Sequence, residues 1–210
     1  MYFSSKHTER CQLDSRQDIQ VLKSFIGILE QLGIAYAIGG SVASSIYGKV
    51  RFTQDVDITV EPFEVQAERL FELLKSQYYV SKQAMQEALK QRGSFNIIHL
   101  ESAFKIDIFV RKDTTFEKQL VSRAKVMNIS GSREESFAVV SPEDIILLKL
   151  LWFCSGGRTS DQQWKDVLGV LEIQAQRLDF RYLKKWTDGL GLNELLAKAM
   201  VEVGVLPESQ

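Results

Sequence analysis

The sequence predicts a mixed α/β fold, with a sheet flanked by helices, followed by a helical C-terminal part. Residues 55–60, "DVDITV", alternate polar and apolar side chains with the period of two that a half-buried strand shows. Residues 18–33, "DIQVLKSFIGILEQLG", space their apolar residues at three and four and end at a glycine, as an amphipathic helix does. From residue 141 onward the apolar spacing is helical throughout. Strands therefore belong to the first part of the chain.

The elements of that first part follow from the same two periods. The helical patterns after the first are "SVASSIYG" (41–48), which Ser41 would cap, "EVQAERLFELLKSQ" (64–77) and "KQAMQEALKQR" (82–92). The strand patterns besides 55–60 are "IAYAI" (34–38), "FNIIHLES" (95–102), "FKIDIFVR" (104–111), "AKVMNIS" (124–130) and "SFAVVS" (136–141). The strands at 95–102 and 104–111 can pair as a hairpin.

A boundary is expected at residue 141. Ser141 is a good helix cap, and Pro142 suits the first helical position because its missing N–H would have no partner there anyway. We expect a flexible leader at 1–16, a mixed α/β domain at 17–140 and a helical subdomain at 141–210.

Composition excludes several classes of function. With 26 basic and 27 acidic residues the net charge is -1, so no overall basic footprint for nucleic acid exists. The two cysteines and two histidines are far apart, which disfavours a disulfide framework, a zinc site and a histidine-based triad. No apolar run is long enough for a membrane span, and the N-terminus lacks a secretory pattern. We expect a cytoplasmic protein.

Three aspartates are the strongest candidates for chemistry. Asp55 and Asp57 lie two residues apart and therefore face the same side of one strand, and Asp107 alternates with apolar neighbours on a later strand. If the two strands are adjacent, three carboxylates converge on one patch of sheet, which is costly without a cation. Carboxylate oxygens are the ligands that Mg²⁺ prefers. The alternative is a solvated strand face with no metal.

A glycine turn lies beside these acids. Gly39, Gly40 and Ser41 stand where a predicted strand ends and a predicted helix begins. Glycine allows close backbone approach, and a helix N-terminus offers unpaired N–H groups to an anion. The turn is therefore a candidate site for the phosphates of a nucleotide.

Together these motifs resemble a known family. The order "GGS", thirteen residues, "DVD", then a third acid in "KIDIF" resembles the nucleotidyltransferase superfamily related to DNA polymerase β. More narrowly, "GGSVASSIYGKVRFTQDVDI" and "SPEDIILLKL" are similar to small bacterial members grouped with the nucleotidyltransferase toxins of abortive-infection and toxin–antitoxin systems. The resemblance implies transfer of a nucleoside monophosphate from an NTP to a hydroxyl acceptor, with release of pyrophosphate.

The resemblance also implies roles for individual residues. Asp55 and Asp57 would bind two Mg²⁺ ions, and Asp107 would complete the ion nearer the acceptor and help to deprotonate its hydroxyl. The residues implied in nucleotide binding are Gly39, Gly40, Ser41, Arg51, Thr53 and Lys149. Asp166 would only orient Lys149 or Arg158, although we expect a helix-surface acid there.

Two further readings remain open at this stage. The chain can be a non-catalytic module of the same fold that binds a nucleotide or a partner such as an antitoxin. It can also be an enzyme that modifies a small molecule, as aminoglycoside nucleotidyltransferases do, rather than tRNA or protein. A small-molecule acceptor should occupy a closed acidic pocket between the two parts, and a macromolecule should need a broad open cleft.

Overall fold

The computed structural model describes residues 16–129 and 135–205, which form a mixed sheet surrounded by helices. The predicted leader at 1–16 lies outside the described residues except for Arg16, where the first helix begins. The described strands are β1 (Tyr36–Ile38), β2 (Asp55–Val60), β3 (Tyr78–Val80), β4 (Ser94–His99), β5 (Lys105–Val110), β6 (Lys125–Asn128) and β7 (Ser136–Val139). The predicted α/β class is confirmed.

Helices occupy much of the rest of the described chain. They are α1 (Arg16–Gln31), α2 (Gly40–Tyr47), α3 (Ala67–Leu74), α4 (Lys82–Gln91), α5 (Thr115–Ser122), α6 (Pro142–Ser155), α7 (Asp161–Gln174), α8 (Phe180–Leu190) and α9 (Asn193–Glu202), with a short 3₁₀ helix at Ala175–Arg177. Strand β3 and helix α5 have no counterpart in the sequence predictions. No helix of the described residues is both long and apolar enough to cross a membrane.

The sheet order β3-β4-β5-β2-β1-β7-β6 places β2 and β5 side by side near its centre. These two strands are parallel, whereas β4 and β5 form the predicted antiparallel hairpin. One face of β2 and β5 is fully apolar and buried, as Val56, Ile58 and Ile106 show. The opposite face is partly exposed along both strands. Polar residues of β2 and β5 therefore share one accessible face.

Helix α2 follows β1 directly and is buried along its whole length. The prediction that Ser41 caps α2 is wrong: Gly39 is the cap residue, no side chain caps the helix, and Ser41 lies inside the first turn. The backbone enters the helix through Gly40, whose φ of +55° lies in the left-handed region that glycine adopts readily. At α6 the predicted cap is confirmed, since Ser141 accepts a hydrogen bond from the Asp144 N–H and Pro142 opens the helix.

Candidate active site

Adjacent parallel strands bring the three predicted aspartates to one face of the sheet. In the register of β2 and β5, Asp57 is the direct partner of Asp107, and Asp55 is the partner of Lys105. Side chains at paired positions point to the same face, so Asp55, Asp57 and Asp107 form one group, called the acid face below. The adjacency on which their predicted convergence depended is therefore present.

The surroundings of Asp57 disfavour its ionised form. Its pKa is raised to about 6, first by burial, then by the charge of Asp55, with Asp107 adding to the effect and Lys149 opposing it. A carboxyl that is both desolvated and surrounded by like charge disfavours its ionised form. The acid face therefore has excess negative charge that a cation would relieve.

The outer two carboxylates have protein partners. Asp55 accepts a hydrogen bond at 2.9 Å from the Thr53 hydroxyl, which also donates to the Asp55 carbonyl at 3.0 Å. Asp107 forms an ion pair with Lys105, in which Lys105 Nζ lies 2.7 Å from Asp107 Oδ2. Within residues 16–129 and 135–205, no three acidic, histidine or cysteine side chains stand close enough together to hold a metal ion. The ligand types suit Mg²⁺, and Lys105 would compete with a metal ion for the Asp107 carboxylate.

The glycine turn touches the acid face directly. Gly39 donates its backbone N–H to the carbonyl of Asp57 at 2.8 Å. Gly40 has φ +55°, and a Cβ atom there would overlap the carboxylate of Asp57. Glycine is therefore required twice at this position, for the left-handed backbone and for the close approach of Asp57. The N-terminus of α2 and the acids consequently form one continuous surface.

A second charged group lies beside the same helix N-terminus. Arg51 donates to both carboxylate oxygens of Asp166, at 3.2 and 3.3 Å, and to the Ser41 hydroxyl. Lys149 Nζ lies 2.8 Å from Asp166, and both side chains are buried. Gln162 donates to Asp166 at 2.9 Å. We call Arg51, Lys149 and Asp166 the buried ion cluster.

Asp166 organises that cluster. Burial alone would raise its pKa, but the Lys149 charge and the hydrogen bonds from Lys149, Arg51 and Gln162 bring the pKa below its ordinary value. The expectation of a helix-surface acid is wrong, because the residue is only 7% exposed. The alternative, an acid that orients Lys149, agrees with the contacts. Its other partner is Arg51, not Arg158.

A sequence signal for Asp166 exists. Asp166, Val167, Val170, Leu171 and Gln174 are all buried and follow the spacing of a single helix face. An acid on the apolar face of an amphipathic helix needs a partner, since an unpaired buried charge is costly. Lys105 was also not identified as a partner of Asp107, although both alternate on the same strand.

Comparison with known proteins decides the family. Residues 18–189 match the sequence profile of a family described as "Nucleotidyl transferase of unknown function (DUF2204)". The chain belongs to this family. The resemblance to nucleotidyltransferases is therefore confirmed, and the protein is a nucleotidyltransferase by family. A comparison with curated protein sequences gives no match.

Solved structures share the fold at low sequence identity. The solution structure of the antibiotic-resistance factor ANT(2'')-Ia has a TM-score of 0.56 and 13% identity, covering 89% of this chain and 97% of that one. A crystal structure of ANT(2'')-Ia in complex with adenylyl-2''-tobramycin gives 0.56 and 10%, covering 85% and 99%. A nucleotidyltransferase-like antigenic protein from Paracoccidioides brasiliensis gives 0.51 and 16%, covering 88% and 94%. These likenesses show a common fold.

Proposed function

We propose that this nucleotidyltransferase is a Mg²⁺-dependent enzyme that transfers a nucleoside monophosphate from an NTP to a hydroxyl acceptor. The observation that carries the proposal is the pairing of Asp57 with Asp107 on neighbouring parallel strands, with Asp55 on the same face and Gly40 packed against Asp57. A structural role explains these acids poorly, because burial, and then the charges of Asp55 and Asp107, raise the pKa of Asp57.

Asp55, Asp57 and Asp107 would hold the metal ions. Bound there, Mg²⁺ would polarise the α-phosphate and neutralise charge on the leaving pyrophosphate. The N-terminus of α2, which no side chain caps, and the guanidinium of Arg51 beside it would supply the rest of the phosphate site. Lys149 would add positive charge from α6, and Thr53 would hold Asp55 in place.

The transfer is a substitution at the α-phosphorus. The acceptor oxygen forms a bond to phosphorus, and the bond between that phosphorus and the bridging oxygen of pyrophosphate breaks. Asp107 accepts the hydroxyl proton and passes it to water. Pyrophosphate leaves toward the N-terminus of α2, where the amides and Arg51 stabilise its charge.

The test is labelling of acceptors in a cell lysate. Compared with lysate alone, added protein with Mg²⁺ and each NTP labelled at the α-phosphate should label at least one further species, whereas NTP labelled at the γ-phosphate should label no further species. The Asp55→Ala/Asp57→Ala variant should abolish labelling, and Asp161→Ala, which removes an exposed acid at the start of α7, should retain it. Equal labelling by the double variant, or labelling from the γ-phosphate, would contradict the proposal.

The toxin-type role and a cognate antitoxin stay predictions from the sequence resemblance. NTP binding without transfer to any acceptor would instead favour the non-catalytic module.

A further inference from the structure

A cavity of about 710 Å³ opens on the same side of the sheet as the acid face. Thr59 and Phe109 line it, and they are paired on β2 and β5 one step beyond Asp57 and Asp107. Same-face neighbours, two residues apart along a strand, are separated by about 7 Å, so the cavity begins about this distance from Asp57 and Asp107. Helices α5, α6 and α8 form its other walls. Its volume is in the range of sites for small molecules.

Apolar side chains, four of them aromatic, make up about half of the cavity's lining, and hydroxyl and charged residues make up most of the rest. Phe109 and Trp152 lie 6.2 Å apart between ring centres, and Phe116 and Trp186 lie 5.2 Å apart. The indole nitrogen of Trp186 is buried and has no hydrogen-bond partner within the described part of the chain. Such walls favour an aromatic or aliphatic occupant with few polar groups.

Charges at the cavity are balanced by ion pairs. Arg92 pairs with Glu64, Arg111 with Glu61, and Lys112 lies 3.9 Å from Glu117. Glu117 is the one acidic residue of the lining, and its nearest cation is also a lining residue. The cavity therefore has no surplus of carboxylates, contrary to the acidic pocket expected for a small-molecule acceptor. Within the lining, a polyamine would find only Glu117, already close to Lys112, to neutralise its charge.

The position of the cavity relative to α2 suggests which substrate it serves. In an in-line displacement the attacking and leaving oxygens lie on opposite sides of the α-phosphorus. Our proposed function puts the leaving pyrophosphate at α2, on the β1 side of Asp57. The N-terminus of α2 is level with Asp57, and the cavity begins two residues further along β2, at Thr59, and extends to Phe109 of β5 and Ser94 of β4. Its end at Phe109 follows Asp107 on β5.

We propose that this cavity binds the hydroxyl acceptor, and that the acceptor is a small, largely apolar and uncharged molecule. The part of this inference that concerns the acceptor rests on the proposed function. The alternatives are a polycationic aminoglycoside, which the charge balance of the cavity disfavours, and a macromolecule. The fold shared with ANT(2'')-Ia therefore combines here with a cavity whose charge balance suits a different class of molecule.

Binding of the neutral naphthalene fluorophore Prodan tests the cavity without any transfer reaction. Ser155 lines the cavity and is exposed, so Ser155→Trp places a large side chain in the opening without disturbing the core. Val201→Trp is the matched control, since Val201 is 74% exposed on α9 and is not part of the lining. The ATP analogue α,β-methylene ATP, which cannot release pyrophosphate, reports separately on the nucleotide site and on folding.

We expect wild type to bind Prodan at a single site, with Ser155→Trp weakening binding by at least about tenfold and Val201→Trp by no more than about twofold. The ATP analogue should bind wild type and Ser155→Trp equally, and neither it nor tobramycin should displace Prodan.

Four results would overturn the inference. They are no saturable Prodan binding, equal binding by Ser155→Trp, displacement by tobramycin, and displacement by the ATP analogue, which would give the cavity to the nucleobase. Failure of the proposed function would appear elsewhere, as labelling that survives loss of Asp55 and Asp57.

Discussion

Two groups of charged side chains lie beside the N-terminus of α2, and they are built in opposite ways. The acid face collects like charges on two strands and leaves the pKa of Asp57 raised to about 6. The buried ion cluster pairs opposite charges, with Asp166 between Lys149 and Arg51. The first arrangement is costly for the protein alone, and a bound cation would relieve it. The second is complete, and we interpret it as the support that positions Arg51 and Lys149.

This contrast predicts that loss of Asp166, the acid of the buried ion cluster, lowers the free energy of unfolding most. Replacing Asp166 with alanine leaves Lys149, only 2% exposed, without its partner. Breaking a buried pair from one side typically costs about 3–5 kcal/mol. We expect urea unfolding to show a loss of this size.

The matched control is Asp161→Ala, five residues earlier on the same helix, where the acid is exposed. It should cost less than about 1 kcal/mol. A similar small effect for Asp166→Ala would mean that the cluster does not support the fold, and the contrast with the acid face would be lost.

Neutralising Asp57, on the acid face, should instead stabilise the metal-free protein. The folded pKa of Asp57 is about 6 against 3.8 for the ordinary group. As pH rises between these values, the unfolded chain loses its proton first, and the metal-free fold loses stability by about 3 kcal/mol. Asp57→Asn removes this loss, so in EDTA the variant should be more stable than wild type above pH 6.

The difference between Asp57→Asn and wild type should shrink as pH falls toward 4, where both carry a neutral side chain. Thermal unfolding across this range, with EDTA present, measures it. A variant less stable than wild type at neutral pH would show that the Asp57 charge is already compensated within the protein.

The junction between glycine turn and acid face should be sensitive to a single methyl group. Gly40→Ala forces an alanine to φ +55° and drives Cβ into the Asp57 carboxylate. Residues held in such conformations cost about 1–3 kcal/mol. We expect a loss of this size in chemical unfolding.

Gly189→Ala provides the comparison for Gly40→Ala. A Cβ at Gly189, inside α8, meets nothing within 4 Å. It should stabilise the helix by up to about 1 kcal/mol. If both alanines were tolerated equally, the close approach of Gly40 to Asp57 would not be a feature of the folded protein.

The smallest effect is expected where one hydroxyl supports the acid face. Thr53→Val removes the hydrogen bonds to the carboxylate and carbonyl of Asp55, at a cost of about 1 kcal/mol. Thr159→Val, which removes an exposed hydroxyl that donates to the Gly156 carbonyl, should change stability by less than about 0.5 kcal/mol. Differential scanning calorimetry can measure the stability change in each variant. Equal changes would show that Thr53 does not support the acid face.

The acid face could be predicted from the sequence because the alternation of side chains along a strand determines which residues share a face. The period of two in "DVDITV" and "KIDIF" fixes which side chains share a face, and only the pairing of β2 with β5 was left to the fold. The glycine turn was equally local. Its cap was misassigned because Ser41 is a good cap residue in general, whereas here its hydroxyl accepts from Arg51.

The buried ion cluster was not predictable in the same way. Arg51 and Asp166 are separated by 115 positions and meet only after α7 has packed beside α2. Lys149 was recognised within its apolar run, but its partner depends on tertiary structure. Local signals were also missed: Thr114 and Glu117 begin α5 with the spacing of a capping box, and β3 has only three residues.

The central claim is that Asp55, Asp57 and Asp107 hold a divalent cation together, and Mn²⁺ tests it most directly. Electron paramagnetic resonance measures free Mn²⁺ during titration with protein and α,β-methylene ATP. We predict that wild type and Asp161→Asn deplete free Mn²⁺ equally, and that Asp55→Asn/Asp57→Asn binds it at least about tenfold more weakly. Equal depletion by the double variant would contradict the claim.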